Sequence, residues 1–307
     1  MGIIRYLEKF IRNPKTRFGY LSALGFYNWL SDEDYVRKEW KIIRGTKLNL
    51  DFPQTFNEKL QWLKVNDHKP EYTMMVDKYA AKKYVAERIG EEHIIPTLGV
   101  YNRFEEIDFN SLPNKFVLKC THDSGAVVIC RDKEKLNKKE IKAKLTKHLK
   151  RKYYYCHREW PYKNVPPRII AEEYMQDSTI TALTDYKFYC FNGIPQYLYV
   201  STGLDNHKTA KVSFVNTDWK LMNFRRTDYK PLDTLPQKPN CFLEMLDIAK
   251  KLSEDIPFLR VDLYEINGIV YFGELTFTPC AGMMPFDPPS ADFEIGKMLD
   301  ISHLIKQ

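Results

Sequence analysis

The sequence predicts an α+β protein of two lobes preceded by a helical region, and three observations carry that prediction. The first seventy residues hold apolar side chains at helical spacing with capping signals, and most of the rest is short β-rich runs bounded by turn residues. Near the end, RVDLYEINGIVYFGELTFTP at 260 to 279 reads as two strands joined at Asn267-Gly268, with charges set among the strand residues. With 307 residues, 44% of them hydrophobic, the chain can bury more than one core. The expected division is a helical region over 1–70, a first lobe over 71–167 and a second lobe over 168–307.

Helices are expected over 2–12, about 20–30, 33–43 and 56–66, the last opened by the capping box Thr55-Phe56-Asn57-Glu58. The Lys69-Pro70 step closes this region, and a helix over 71–89 is ended by Gly90. A strand in IIPTLGVY follows, and KFVLKCT and AVVICRD flank the turn HDSG. The basic stretch KKEIKAKLTKHLKRK at 138–152 reads as a helix. The runs RIIAEEYM, DYKFYCFNG, PQYLYVSTG and KVSFVNTDW, a helix at 241–254 and the charged hairpin make a second lobe of mainly antiparallel sheet.

Composition narrows the function classes. The 47 Lys and Arg exceed the 40 Asp and Glu by seven, but no nucleic-acid motif accompanies the basic helix, so it reads as a solvated face or a partner for an anionic small ligand. Six cysteines without a CxxC pair or zinc-type His spacing fit a reduced, cytoplasmic setting. No secretory pattern and no bilayer-length apolar run is present in the sequence. Ile3, Ile4, Leu7, Phe10 and Ile11 share one side of the first helix, with Arg5, Lys9 and Arg12 around it. Core packing is the favoured reading of that face, and peripheral contact with the inner face of a membrane is the second.

In the hairpin, Arg260 and Asp262 project from one face because strand side chains alternate, and the turn brings the strand of Glu274 back beside them. Two converging carboxylates call for a cation, and hard divalent cations take oxygen ligands. Lys119 ends the apolar strand KFVLKC just before small and polar turn residues that include His122, Ser124 and Gly125, an arrangement suited to phosphate oxygens as well as to an ordinary polar turn. Lys78, taken alone, passes for a surface residue of its helix. Glu172 and Glu173 precede the apolar pair Tyr174-Met175, where backbone amides beside an acid could read an adenine edge and a ribose.

The ordered segments VDK, VLK with its small-residue turn, AEEYM, RVDL and GELTFTP resemble the ATP-grasp enzymes. Within that superfamily TFNEKLQWLK, FVLKCTHDSG, REWPYKN, DYKFYCFNG and GELTFTP are similar to the TupA-like ATP-grasp group, associated with bacterial surface-polysaccharide and teichuronopeptide synthesis. The resemblance implies an ATP-grasp fold whose two lobes clasp ATP. It implies that Lys78 and Lys119 contact the phosphates, with the 121–126 turn closing over them, and that Glu172, Glu173, Tyr174 and Met175 form the adenine-holding hinge. Asp185 takes the ribose position, and Lys187 and Lys211 reach the terminal phosphates. Asp262 and Glu274 bind Mg²⁺, with Thr276 standing where the family usually carries Asn, and Arg260 faces the transferred phosphate or the acyl phosphate.

The activity implied is an ATP-dependent carboxylate–amine ligation through an acyl phosphate, on a sugar acid of a capsular, O-antigen or teichuronopeptide-type glycan with an amine co-substrate. A glycosyltransferase is the first rival, but DED at 32–34 lies in a helical stretch with no strand before it. A sugar kinase using the same ATP site is the second. A scaffold without activity is disfavoured by charges in apolar strands that a ligand would compensate.

Overall fold

A computed structural model describes residues 10–178, 183–203 and 210–305. Apart from the helical residues 10–12, the helix expected over 2–12 lies outside the described residues. Helix α1 (Pro14–Ala23) begins earlier than the expected helix at about 20–30, because the Asn13 side chain accepts from the N–H groups of Lys15 and Thr16 and Pro14 suits a first turn. Helix α2 (Asp32–Arg44) carries its acids Asp32, Glu33 and Asp34 in its first turn, so DED at 32–34 serves a helix start, and Gly45 ends it in the left-handed conformation. Helix α3 (Phe56–Asn66) opens with both hydrogen bonds of the capping box.

The helix expected over 71–89 is two, α4 (Glu71–Val76) and α5 (Ala80–Ile89). Asp77 between them is extended. Its buried carboxylate accepts from the Tyr79 N–H at 3.0 Å and from Arg168 at 2.5 Å. The Lys78 N–H leaves the helical ladder for the carbonyl of Thr121 at 3.1 Å. A buried carboxylate must be partnered, and here the partners lie off the helix axis, so the helix breaks to meet them.

The first sheet is antiparallel, with the order β1 (Thr97–Tyr101), β4 (Ile169–Glu173), β2 (Phe116–Cys120), β3 (Val127–Cys130). Strand β4, expected with the second lobe, is hydrogen-bonded between β1 and β2. One face packs Phe116, Leu118, Cys120, Ile169 and Ala171 against Ile141 and Leu145 of α6 (Lys138–Leu149). The register leaves Val117, Lys119, Ile170 and Glu172 together on the other face.

After the short helix α7 (Tyr154–His157), the second sheet runs in the order β10 (Ile269–Thr276), β9 (Phe258–Ile266), β5 (Asp185–Phe191), β6 (Ile194–Thr202), β7 (Lys211–Asn216). It too is antiparallel. Phe188, Leu198, Val261, Leu263 and Leu275 on one face pack against Met245, Ile248 and Leu252 of α8 (Phe242–Ser253). Tyr189, Phe191, Tyr197, Phe214 and Phe258 on the other pack against Phe56 and Leu60 of α3 and Ile295 of α9 (Ala291–Gly296). Each fully buried side chain of this size contributes about 1.5–3 kcal/mol relative to exposure, so the helical region is fastened to the second sheet by its core. A two-stranded ribbon of β8 (Arg225–Arg226) and β11 (Phe286–Asp287) flanks this sheet, and α10 (Ser302–Ile305) follows near the C terminus.

Candidate active site

The hairpin of β9 and β10 turns at Asn267 and Gly268, both with positive φ, as a two-residue turn of this hand requires. From Ile266 opposite Ile269 the pairing is regular as far as Leu263 opposite Phe272, after which Glu274, not Gly273, stands opposite Asp262. An unbroken ladder would set Glu274 opposite Val261, on the face packed against α8. The bulge at Gly273 turns the carboxylate to the other face. A Cβ at Gly273 would lie 2.8 Å from the Tyr264 ring and 3.0 Å from the Asp262 carbonyl oxygen, so the bulge is tight enough to exclude a side chain.

Strand β5 adds Lys187 directly opposite Asp262. Its Nζ donates to Asp262 Oδ2 at 2.6 Å and to Asp185 Oδ1 at 3.1 Å. Arg260 grips Asp262 through Nε and Nη2, both at 2.7 Å, and its Nη2 lies 3.7 Å from Glu274 Oε2. Burial opposes the charge of Lys187 and of Arg260, but Asp262 and Asp185 with Tyr199 around Lys187, and Asp262 with Tyr199 and Tyr189 around Arg260, together outweigh it, and both are held well above their ordinary values. Burial likewise pushes Glu274 up, yet Lys78, Arg260 and Lys187 bring it down to about 2, while 33% of its side chain stays open to solvent. That combination describes a charge on a cleft wall. Next to it, the Thr276 hydroxyl is buried and has no hydrogen-bond partner among the described residues.

Lys78 joins the two lobes. The break between α4 and α5 aims its Nζ at Glu274 Oε1, 3.1 Å away, and at the Asp123 carbonyl oxygen in the β2–β3 turn, 3.0 Å away. The Asp123 carboxylate is itself buried, paired with His148 and, at 3.1 Å, with Arg151. At the end of β2, Lys119 lies 2.6 Å from Glu172 Oε2, and Lys82 lies 2.5 Å from Oε1. Burial raises Glu172, but the two ammonium groups prevail and hold it below its ordinary value. Glu172, expected only within an adenine-holding hinge, thus fixes two lysines. Glu173 beside it is exposed, Tyr174 lies between Lys115 and Arg131 at 5.9 and 6.0 Å, and Met175 is half-buried.

Of the remaining expected residues, Asp185 is buried beside Lys187, and Ser124 and Gly125 are exposed at the turn, where Gly125 has φ +91. His122 is buried, with Nε2 3.2 Å from the Arg151 carbonyl oxygen and Nδ1 without a partner among the described residues. Lys211 is not brought to the cluster. Its register opposite Thr202 places it on the sheet face opposite Lys187, which stands opposite Tyr199, and its ammonium is paired with Asp233. Lys82, not among the expected residues, joins the site through Glu172, and its spacing of four from Lys78 is the signal for it in the sequence.

Three cations, Lys78, Lys187 and Arg260, therefore meet three carboxylates, Asp185, Asp262 and Glu274, on a wall between the sheets. A balanced set of fixed charges can exchange its internal pairs for a polyphosphate and a divalent cation without a large change in net charge.

A family model described as TupA-like ATPgrasp matches residues 58–300. No curated protein matches the chain. Among solved structures, the D-alanine–D-alanine ligase from Bacillus anthracis complexed with ATP is similar at 15% identity over 76% of this chain and 67% of that one, with a TM-score of 0.43. A RimK domain ATP-grasp protein from Sphaerobacter thermophilus DSM 20745 is similar at 11% identity over 74% and 69%, with a TM-score of 0.40. The ATP-grasp ligase PsnB complexed with minimal precursor is similar at 10% identity over 69% and 55%, with a TM-score of 0.37. Overlaps this loose add nothing to the family match.

Proposed function

Because the chain belongs to the TupA-like ATPgrasp family, we propose that it is an ATP-dependent carboxylate–amine ligase acting on a sugar acid of a bacterial surface glycan. The observation that supports this reading best is the Lys78 bridge, which ties the β2–β3 turn of one sheet to Glu274 of the other at 3.0 and 3.1 Å. Lys78 and Lys119 hold the nucleotide phosphates, the hinge over Glu172 to Met175 lies along the adenine, and Asp185 lies at the ribose. Arg260 and Lys187 stabilise charge developing on the transferred phosphoryl group, which calls for fixed cations rather than a nucleophile.

Mg²⁺ fits the donor set here: Asp262 and Glu274 present carboxylate oxygens side by side, and the unpartnered Thr276 hydroxyl offers a third oxygen. When bound, Mg²⁺ neutralises phosphate charge. Arg260 and Lys187 hold Asp262 in place, fixing where such an ion would sit. The substrate carboxylate takes the terminal phosphoryl group of ATP, releasing ADP, and an amine then attacks the acyl carbon, forming the amide and expelling inorganic phosphate. Incubating the protein with ATP, Mg²⁺ and a panel of sugar acids with amino acids, and weighing the products, tests the proposal. An amide product with ADP and phosphate supports it; a phosphorylated sugar or a transferred glycosyl group from a nucleotide sugar replaces it.

Peripheral contact with a membrane, expected through the helix over 2–12, belongs to the same proposal, and exposed apolar side chains follow that helix in the chain. Leu24, Phe26 and Trp29 are 64–78% exposed in the helical region, and Lys38 lies 5.3 Å from the ring of Tyr27 between them. Co-sedimentation with anionic vesicles that survives in Trp29→Ser would remove this surface from the account.

A further inference from the structure

The chain leaves the first sheet at Glu173, and the stretch beyond it is tied first to one lobe and then to the other. The Glu173 N–H donates to the carbonyl oxygen of Pro96, just before β1, at 3.1 Å, and Lys115, just before β2, donates to Gln176 Oε1 at 3.3 Å. The next two residues are held by the second sheet. The Asn267 N–H, at the tip of the β9–β10 hairpin, donates to Asp177 Oδ2 at 2.6 Å. In return, Asn267 Oδ1 accepts from the Ser178 N–H at 3.0 Å and from the Ser178 hydroxyl at 2.7 Å. Asp177 is 8% exposed between the exposed residues Gln176 and Ser178, so the stretch turns one side chain inward to meet the hairpin.

The turn alone does not call for these bonds. Its two residues hold φ of 53 and 78, and glycine serves in such a turn at either position. What asparagine adds is a side-chain carbonyl with two lone pairs, and Ser178 takes both. The buried Asp177 carboxylate in turn needs donors to keep its place, and the Asn267 N–H is one. Bonds that run both ways between one turn residue and two consecutive residues fix a length of backbone as well as side chains. Lys78 ties the same hairpin to the first lobe at Glu274. Glu274 lies seven residues beyond Asn267, roughly 20 Å along a strand, so the hairpin is held at two separated places.

We infer that Asp177, Ser178 and Asn267 are positioning residues for nucleotide binding: they clasp the end of the hinge to the hairpin and so hold Tyr174 and Met175 where a purine base lies along them. This deepens the ligase reading and rests on its placing the adenine along Glu172 to Met175. The clasp acts through the backbone, since Met175 is only two residues before Asp177. Its start is fixed by Pro96 and Lys115 whether or not the clasp is made. Without the clasp the far end of the hinge is free to move, and a base must then restore the order that the hydrogen bonds supply in advance. The phosphates meet a different set of groups. Lys78, Lys119, Lys187 and Arg260 are held by Glu274, Glu172, Asp185 and Asp262, none of which belongs to the clasp.

The test separates the base from the phosphates and needs no turnover. Titration calorimetry on the full chain with Mg²⁺ compares ATP with inorganic tripolyphosphate, which carries the phosphates without the base. Asp177→Ala removes the acceptor of the Asn267 N–H, and Asn267→Gly removes the acceptor of Ser178 while keeping a residue at ease with φ of +53. Each should weaken ATP roughly tenfold, about 1.4 kcal/mol, and leave tripolyphosphate binding unchanged. Asp177→Asn keeps a side-chain acceptor and should recover most of the affinity lost in Asp177→Ala. A purely structural role predicts instead that both ligands weaken together, and that result, or unchanged ATP affinity in Asn267→Gly, overturns the inference. Should Asp177→Ala lack a folded circular dichroism spectrum, Asn267→Gly decides alone. The wild type separates the two levels: ATP binding there with no selective loss in the variants removes the clasp alone, and no ATP binding there removes the ligase reading.

Discussion

Replacing Gly273 with alanine tests the idea that a single bulge aims the acid of the candidate metal site. The added Cβ would meet the Tyr264 ring at 2.8 Å and the Asp262 carbonyl oxygen at 3.0 Å. The first is a half-buried aromatic ring of the paired strand and the second is that strand's backbone, so neither yields as a flexible side-chain tip would. Overpacking of this kind costs about 1–3 kcal/mol. Relaxing to an unbroken ladder gives no escape, because it would carry the Glu274 carboxylate to the face where Val261 and Leu275 pack against α8. For a domain of this size about 2–4 °C of melting temperature is lost per kcal/mol, so a fall of roughly 2–12 °C is expected. Titration calorimetry with ATP and Mg²⁺ should show weakened binding in the same variant. Gly268→Ala is the control: its φ of +78 is strained for alanine but nothing lies within 4 Å of the new Cβ, so it should cost about 1 kcal/mol and leave nucleotide affinity intact. Unchanged melting and unchanged affinity in Gly273→Ala would refute the reasoning.

Lys119→Ala should keep a native circular dichroism spectrum and bind ATP at least tenfold more weakly, since Lys119 is partly exposed on the sheet face that does not pack against α6; undiminished affinity in a binding titration would count against its role. Glu172 is held below the ordinary glutamate value of 4.5, so the stability it contributes is present above that pH and is lost as pH falls through its lower folded value. Denaturant titrations from pH 7 to pH 3 should therefore show a shallower acid loss in Glu172→Gln than in the wild type, on top of about 3–5 kcal/mol lost at neutral pH from leaving Lys82 and Lys119 facing each other. Glu274→Gln should abolish ATP-dependent product formation while changing unfolding by less than about 1 kcal/mol, because the carboxylate is one-third open and its pairs are screened; normal turnover with normal Mg²⁺ dependence would place the metal elsewhere.

The sequence by itself determined what depends on local pattern: the capping box of α3, the Asn267-Gly268 turn, the runs that became the two antiparallel sheets, and the placement of Lys119 at a strand end. Those features need only neighbours along the chain, a 3.6-residue or two-residue period and turn chemistry. The tertiary structure decided the rest. Lys78 reads as a helix-surface residue until Arg168, ninety residues on, takes the Asp77 carboxylate and breaks the helix. Strand β4 follows the basic helix in sequence but completes the first sheet, because its ladder partners β1 and β2 came earlier in the chain. Lys211 and Lys187 look equivalent in β-rich runs, yet a register fixed across two intervening pairings sends them to opposite faces. The convergence of Asp262 and Glu274 was expected from a plain hairpin, whose regular register would have separated them. A single extra residue in a strand inverts every side chain beyond it, and only the packing around Gly273 against Tyr264 and the Asp262 backbone determines where that inversion falls.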